Sequence, residues 1–353
     1  MKNTKLILLP CFLLLAMFFF YSVSSILAPF IASIIVAYFL DPITKKIEKI
    51  GFKRQWTVSI IVSLFFFVII TALIKLIPIL LVQIHEFVIA IPIYEEYVSK
   101  NIVTKISHFL NSIDPELGAR LQEQLKGFSS KFFEYMMYII RNLFDSGIAM
   151  INILIVLFLT PILVFYLLRD WPIFIKASKS LFPGIYKKDI MDILKQIDKV
   201  LSAYLRGQLN VCFLMSLFYV ASLGLVGLNY ALLIGIIMGM LSIIPYLGIV
   251  IGFILCSVVA LLQFSDFLHI GATIAVFVIG HLLENYFIVP KLIGEKIGLH
   301  PVWVIFALMA GGALFGFWGL FFAIPIAAIL GVLLRSLLKF YLASDLYKNK
   351  IGK

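Results

Sequence analysis

Three residues of this chain have types and spacing that invite chemistry. His281, Glu284 and Asn285 fall at i, i+3 and i+4 near the end of the apolar run HLLENYFIVP, so a helix places them on one face. An ionisable group at membrane depth is costly to keep there and marks a functional site by default. Glu284 would take up a proton or a cation, or accept hydrogen bonds from a hydroxylated solute. Asn285 offers a neutral ligand, and His281 a proton relay, since a free imidazole titrates near neutrality. The plainer alternatives are a Glu284 hydrated near the end of its helix or paired with Lys291, and a His281 that packs and bonds to Glu284. Neither H-E-x-x-H nor H-x-x-E-H occurs around these residues, so no metal site is expected.

The elements that must position this group are broken by glycine and proline. Pro290 and Lys291 close the run, and a short basic loop with Gly294, Gly298 and His300-Pro301 follows. Next comes an apolar stretch carrying Gly311, Gly312, Gly316 and Gly319, which reaches Pro325. An earlier apolar stretch is interrupted at Pro245-Tyr246-Leu247-Gly248, with Gly252 just beyond. Such breaks let backbone carbonyls and helix N-termini meet a solute inside a membrane. The same glycines equally suit tight turns or a small-residue seam between helices. Arg206, Gln208, Lys291 and His300 would line an inner vestibule. The plain readings are a snorkelling Arg206 and a His300-Pro301 pair that caps the next helix.

Composition sets the class. The chain is 63% hydrophobic and 13% charged, with a mean hydropathy of +1.10. Several charge-free runs exceed the roughly 18 residues that mark a span. The chain is therefore expected to be an all-α polytopic membrane protein, not a β-barrel of alternating polarity. The net charge of +11 sits in loops beside apolar runs, where it reports topology and not nucleic-acid binding. Cys11, Cys212 and Cys256 are isolated in apolar runs, which argues packing over metal or disulfide. No cofactor is expected. No P-loop, G-x-S-x-G or zincin motif occurs, which argues against ATP-driven pumping and against an intramembrane enzyme.

Along the chain, segment 1–82 is expected to hold N-terminal transmembrane helices. Lys2 and Lys5 before an apolar run resemble a signal peptide, but no cleavage site follows, so the run reads as a retained span. Residues 6–40 carry no charge. One helix of that length would measure ~52 Å against a ~30 Å hydrocarbon core, so two helices share it, breaking near Ser22–Ser25 or Pro29. A basic loop over 41–56 leads to a third span, 57–82, with Lys75 near its outer end. Segment 83–146 reads as an extracytoplasmic helical hairpin turning at Asp114-Pro115, suited to scaffold or subunit contact. Segment 147–168 is a further span. Segment 169–207 is expected to hold a cytoplasmic amphipathic helix lying on the membrane surface or on the bundle, with a turn at Pro183-Gly184 before it.

The transport core is expected over 208–342, followed by a cytoplasmic tail, 343–353. From Leu209 to Leu262 there is no charged residue, which suits one span (209–227) plus a shorter hairpin (230–262). Residues 302–334 pose the same problem, solved by a second broken hairpin near Gly316–Gly319. With two such hairpins flanking the Glu284 span (267–289), every basic loop and both termini fall on the cytoplasmic side. The total is about five to six full transmembrane helices plus two broken or re-entrant hairpins.

These residues also resemble a family. Ala28-Pro29-Phe30 with Asp41-Pro42, Ser242-Ile243-Ile244-Pro245-Tyr246-Leu247-Gly248 with Gly252, and Glu284-Asn285 before Val289-Pro290-Lys291 are similar to the autoinducer-2 exporter family of PerM-like permeases. So are Gly298-Leu299-His300-Pro301 and Phe315-Gly316 with Gly319 leading to Ala323-Ile324-Pro325. The resemblance covers nearly the whole chain and is strongest over 200–330. It implies a multi-pass bacterial inner-membrane transporter with re-entrant hairpins and an elevator-like mechanism. It also implies a homo-oligomer, a pentamer being the candidate assembly, and export of autoinducer-2 in some members.

The expected function is thus a secondary transporter exporting a small polar organic solute by alternating access, with the bilayer, the solute and H+ or Na+ as partners. The alternative is a monovalent cation/proton antiporter in which Glu284 titrates. It is weakened because Glu284 stands nearly alone as a membrane acid. A scaffold that transports nothing is the third reading.

Overall fold

A computed structural model of the chain describes residues 24–145, 147–182, 187–245, 247–264, 266–293, 298–343 and 347. Everything described is helix or the turns between helices, with no strand among the described residues. Among the described residues, five helical stretches are long and apolar enough to cross a membrane: Arg54–His108, Leu154–Ala177, Lys187–Val226, Phe267–Leu292 and Pro301–Leu342. Two shorter apolar helices, Ala231–Leu241 and Leu247–Gln263, accompany them. The chain is an all-helical polytopic membrane protein, as its composition requires.

The chain forms two compact units: residues up to Ala72 with Asn142–Leu181, and Leu73–Arg141 with Phe182 onward. In the first unit, α1 (Ser24–Glu48) packs on α5 (Gly147–Leu181) around Leu40, Val58, Val164 and Leu168. Prolines inside these helices remove backbone donors, which in a membrane must be answered by neighbouring groups. Pro172 of α5 frees the carbonyl of Leu168, and the Arg54 guanidinium fills the gap, donating to it from Nε at 2.9 Å and from Nη2 at 2.5 Å. Its Nη1 meets Glu48 at 2.9 Å, so one fork ties three segments of this unit. Pro29 lies inside α1, not at a break. Lys45 and Asp41, assigned to a loop from sequence, pair at 2.6 Å on the same helix.

Helix α2 (Arg54–Tyr97) does not stop at residue 82. It runs on through a π-helical turn, Val98–Val103, into α3 (Thr104–Asn111). The outgoing arm of the expected hairpin is therefore a continuation of the span. The Asp114-Pro115 turn is present: the Asp114 carboxylate accepts the Glu116 N–H at 2.9 Å, and α4 (Pro115–Asp145) begins there. The segment 169–207 is not a separate helix. Its first part is the end of α5, and its second is the first half of α6 (Lys187–Val226), continuous with the next span. Val200 and Tyr204 on its apolar face pack into the core of the second unit, against the bundle. Residues around Ser22, Pro183-Gly184, Tyr246, Gly294 and Cys11 lie outside the described residues, as does most of the tail.

In the second unit, α6 is the central post. Helix α7 (Ala231–Leu241) lies against it with backbones nearly touching, because a Cβ on Gly239 would stand 2.3 Å from the Ser216 nitrogen. The turn between them passes through left-handed Gly227 and Tyr230, and Gln263 clamps it. That amide accepts the Asn229 N–H at 2.7 Å and donates to the Gly227 carbonyl at 2.6 Å. Helix α8 (Leu247–Gln263) returns along α7. Helix α9 (Phe267–Leu282) follows, N-capped by Asp266. It passes through a π turn, Leu283–Ile288, into α10 (Val289–Leu292). The last helix, α11 (Pro301–Ala343), doubles back at Gly316, whose φ of 58° and ψ of −135° are non-helical. Residues eight apart in a straight helix would be ~12 Å apart. Here a Cβ on Gly311 would lie 2.5 Å from the Gly319 carbonyl oxygen.

Candidate functional site

Where α6, the tip between α7 and α8, the π turn and α11 converge, the second unit encloses a cavity of about 360 Å³. Its polar lining comes from Tyr204, Gln208, Ser242, Glu284 and Asn285. Each is delivered by a distinct local cause. Tyr204 and Gln208 are one turn apart on the buried face of α6. Ser242 is the C-cap of α7, held there because its hydroxyl donates to the Met238 carbonyl at 3.2 Å. Glu284 lies in the π turn that ends just before Pro290. A proline ring clashes with the carbonyl four residues back, and widening the preceding turn relieves that crowding. The Val289 N–H accordingly reaches five residues back, to the Glu284 carbonyl.

Glu284 is 8% exposed, and among the described residues it is the only buried carboxyl. The Ser242 side chain lines the cavity beside its carboxyl group, and the one hydroxyl proton goes to the Met238 carbonyl. Gln208 completes the shell, donating from Nε2 to the Ser242 carbonyl at 2.6 Å. The tip of the α7–α8 hairpin is thus tied to α6 by one amide, and it faces the π turn across the cavity. Apolar walls from Val289, Ile293 and Ile324 close the remainder. A site of this size, with few convergent polar groups on apolar walls, suits a small solute of mixed polarity.

Of the residues predicted from sequence, Glu284, Asn285, Gln208 and Pro245 meet at this cavity. His281 does not join its lining. Its ring accepts from Asn285 Nδ2 at 2.8 Å, so its partner is Asn285 and not Glu284. Lys291 is exposed and, among the described residues, forms no ion pair, so the alternative of a Glu284 paired with Lys291 is not realised. Arg206 turns back on its own helix, donating to the Ser202 carbonyl at 2.9 Å and to the Ser202 hydroxyl. His300 caps α11 instead of lining the vestibule: its carbonyl accepts the Trp303 N–H at 2.9 Å.

Gly248 and Gly252 serve packing, since their missing side chains admit Met238 of α7. Gly311, Gly312 and Gly319 let the two arms of α11 meet, and Pro325 is buried in its second arm. A separate apolar groove of about 600 Å³ lies along these arms. Sequence reasoning passed over Tyr204, which counted only as part of an apolar stripe, and Ser242, which was read only as family motif. The signal was the period of Tyr204, Gln208, Met215 and Tyr219 on one face of α6, where two tyrosines and an amide interrupt an otherwise apolar row. Among the described residues no group of His, Cys, Asp and Glu is placed to hold a metal ion.

Comparison with known proteins agrees with this architecture. YrrI of Bacillus subtilis (strain 168), named as a candidate transport protein, is 29% identical over 324 residues, covering 91% of this chain and 89% of that one. PerM of Escherichia coli (strain K12), named as a candidate permease, is 27% identical over 327 residues, covering 90% of this chain and 88% of its own. A candidate transport protein of Thermotoga maritima is 23% identical over 344 residues, 95% of this chain and 94% of that one. The family model described as AI-2E family transporter matches residues 8–339. This chain, a multi-pass membrane transporter, belongs to the AI-2E transporter family.

Proposed function

We propose that the chain exports a small, hydroxylated organic solute of the autoinducer-2 type by alternating access, with the cavity at Glu284 as its binding site. The observation that carries this reading is the convergence of Gln208, Ser242, Glu284 and Asn285 on one small cavity at the tip of a broken helical hairpin. A carboxyl, two amides and a hydroxyl supply both acceptors and donors to a polyol. The π turn and the break between α7 and α8 are places where backbone can rearrange without unfolding a span. The basic residues at 45–54 support cytoplasmic termini, and relatives from Bacillus and Escherichia support a bacterial inner membrane. The family resemblance supports a homo-oligomer. Nothing in the site favours cation/proton antiport, which ordinarily uses more than one buried acid.

The test is flux in proteoliposomes with labelled autoinducer-2, comparing wild type with Glu284→Gln and following protons and sodium in parallel. Solute flux that falls to background in the variant, with the melting temperature kept, supports the proposal. Undiminished flux through Glu284→Gln overturns the assignment of the site. Proton movement driven by sodium without solute flux overturns the assignment of the solute.

A further inference from the structure

Tyr219 stands deep in the second unit, 1% exposed, with a hydroxyl that has no hydrogen-bond partner among the described residues. Its ring packs on Phe277 of α9 with centroids 5.7 Å apart. Its oxygen lies over Gly280, where a Cβ would come within 2.6 Å. A buried phenol without a partner costs free energy that a phenylalanine at this place would not. The missing partner is close at hand. Gly280 and Glu284 are i and i+4 on the same helical run, hence on one face and one turn apart.

The contacts fix the register of these antiparallel helices. Gly207 lies against Ile293, and Tyr219 against Gly280. A displacement of α9 by one turn along α6, ~5.4 Å, would exchange Gly280 for Glu284 opposite the Tyr219 hydroxyl. Glycine at 280 leaves nothing for the tyrosine to climb over. The ionisable groups around this path are Tyr204, Cys212 and Tyr219 on α6, Cys256 on α8 and Glu284 itself.

We infer that Tyr219 is a positioning residue for transport: its hydroxyl is the second station of the Glu284 carboxyl, reached by a one-turn slip of the run Phe267–Leu292 along α6. The inference rests on the export reading, since it describes how the carboxyl that holds the solute leaves its present cavity. In the present register Glu284 lines the cavity beside Ser242, and Tyr219 has no partner among the described residues. In the slipped register Tyr219 serves Glu284, and Ile293 comes opposite Val211.

Two measurements test it. The first is Tyr219→Phe. It keeps or raises the melting temperature, leaves solute affinity unchanged, and lowers flux by about tenfold or more through the lost hydrogen bond to a carboxylate. Unchanged flux overturns the inference, as does a fall in melting temperature and affinity together, which marks a merely structural phenol. The second measurement needs no solute. In a background with Cys11, Cys212 and Cys256 replaced, oxidative cross-linking is followed for Gly207→Cys with Ile293→Cys, and separately for Val211→Cys with Ile293→Cys. Cross-linking of both pairs, with the second suppressed by Tyr219→Phe, supports two registers. Cross-linking of the first pair alone overturns them. Two registers without autoinducer-2 flux mean that the solute assignment has failed and the slip stands.

Discussion

The two helical hairpins of the second unit answer the same length problem in opposite ways. The stretch from Leu209 to Leu262 turns between Leu241 and Leu247, and its tip is held to α6 by the Gln208 amide on the Ser242 carbonyl. The stretch within α11 turns at one residue, Gly316, and its arms are sealed by backbone contact between Gly311 and Gly319. The first hairpin adds a side-chain tie, Gln208, to the packing of Gly248 on the Met238 carbonyl; the second closes by glycine-to-backbone contact between Gly311 and Gly319. An amide side chain can exchange partners, whereas a carbonyl packed on a glycine has none to exchange, so the tip of the first hairpin carries a contact that can change.

The sharpest way to break this comparison is one substitution at matched places. In Gly319→Ala the new Cβ would lie 1.8 Å from the Gly311 carbonyl oxygen, against backbone that cannot step aside. A loss of about 3 kcal/mol is expected, read as a large drop in melting temperature. In Gly252→Ala the new Cβ meets only the Met238 thioether, at 2.5 Å. Methionine repacks readily, so a loss of about 1 kcal/mol is expected. Equal losses at the two positions would undo the contrast.

Next in size is Gln208→Leu, which leaves the buried Ser242 carbonyl without its donor. A cost of about 1–2 kcal/mol to stability is expected, with a several-fold loss of flux, because the tip of the first hairpin loses its tie to α6. Flux unchanged at reduced stability would show that this tie is scaffolding only.

The smallest effect belongs to the cap of α9. The hydrogen bond from His269 Nδ1 to Asp266, 2.7 Å long, holds the Asp266 carboxyl below the usual carboxylate range. A group whose pKa is depressed on folding contributes stability above its unfolded pKa, near 4, and loses that contribution as pH falls further. Asp266→Asn should therefore cost a few degrees of melting temperature at neutral pH, and the gap to wild type should narrow below pH ~4. A gap that stays constant into acid would mean that the cap acts without its charge.

Much of this was legible in the sequence. The all-helical membrane class followed from charge-free runs that no soluble core needs. The two breaks followed from lengths that fit neither one span nor two, and Pro245, Gly316 and Gly319 stand where the chain turns. Glu284 stood out because an acid in such a run has to be explained. What stayed hidden depends on tertiary contacts. Tyr204 has the spacing of an ordinary apolar-face residue, and only the arrival of the π turn beside it makes it part of a cavity. His281 and Glu284 share a helical face at ideal α-helical spacing, but the π turn adds a residue to the turn at Glu284 and leaves His281 to Asn285. The continuation of α2 past residue 82 and of α6 through residue 208 was missed because polarity changes along these helices while their backbone does not.

Gln263 meets the turn at Gly227–Tyr230 with its amide oxygen on an N–H and its amide nitrogen on a carbonyl. The fit is directional, like a plug with two unlike pins. Its isostere Glu, the product of deamidation, presents an oxygen where a donor is required and sets a negative charge against the Gly227 carbonyl. Slow chemical ageing at this single amide would thus loosen the joint between α6 and α7 while leaving every helix intact.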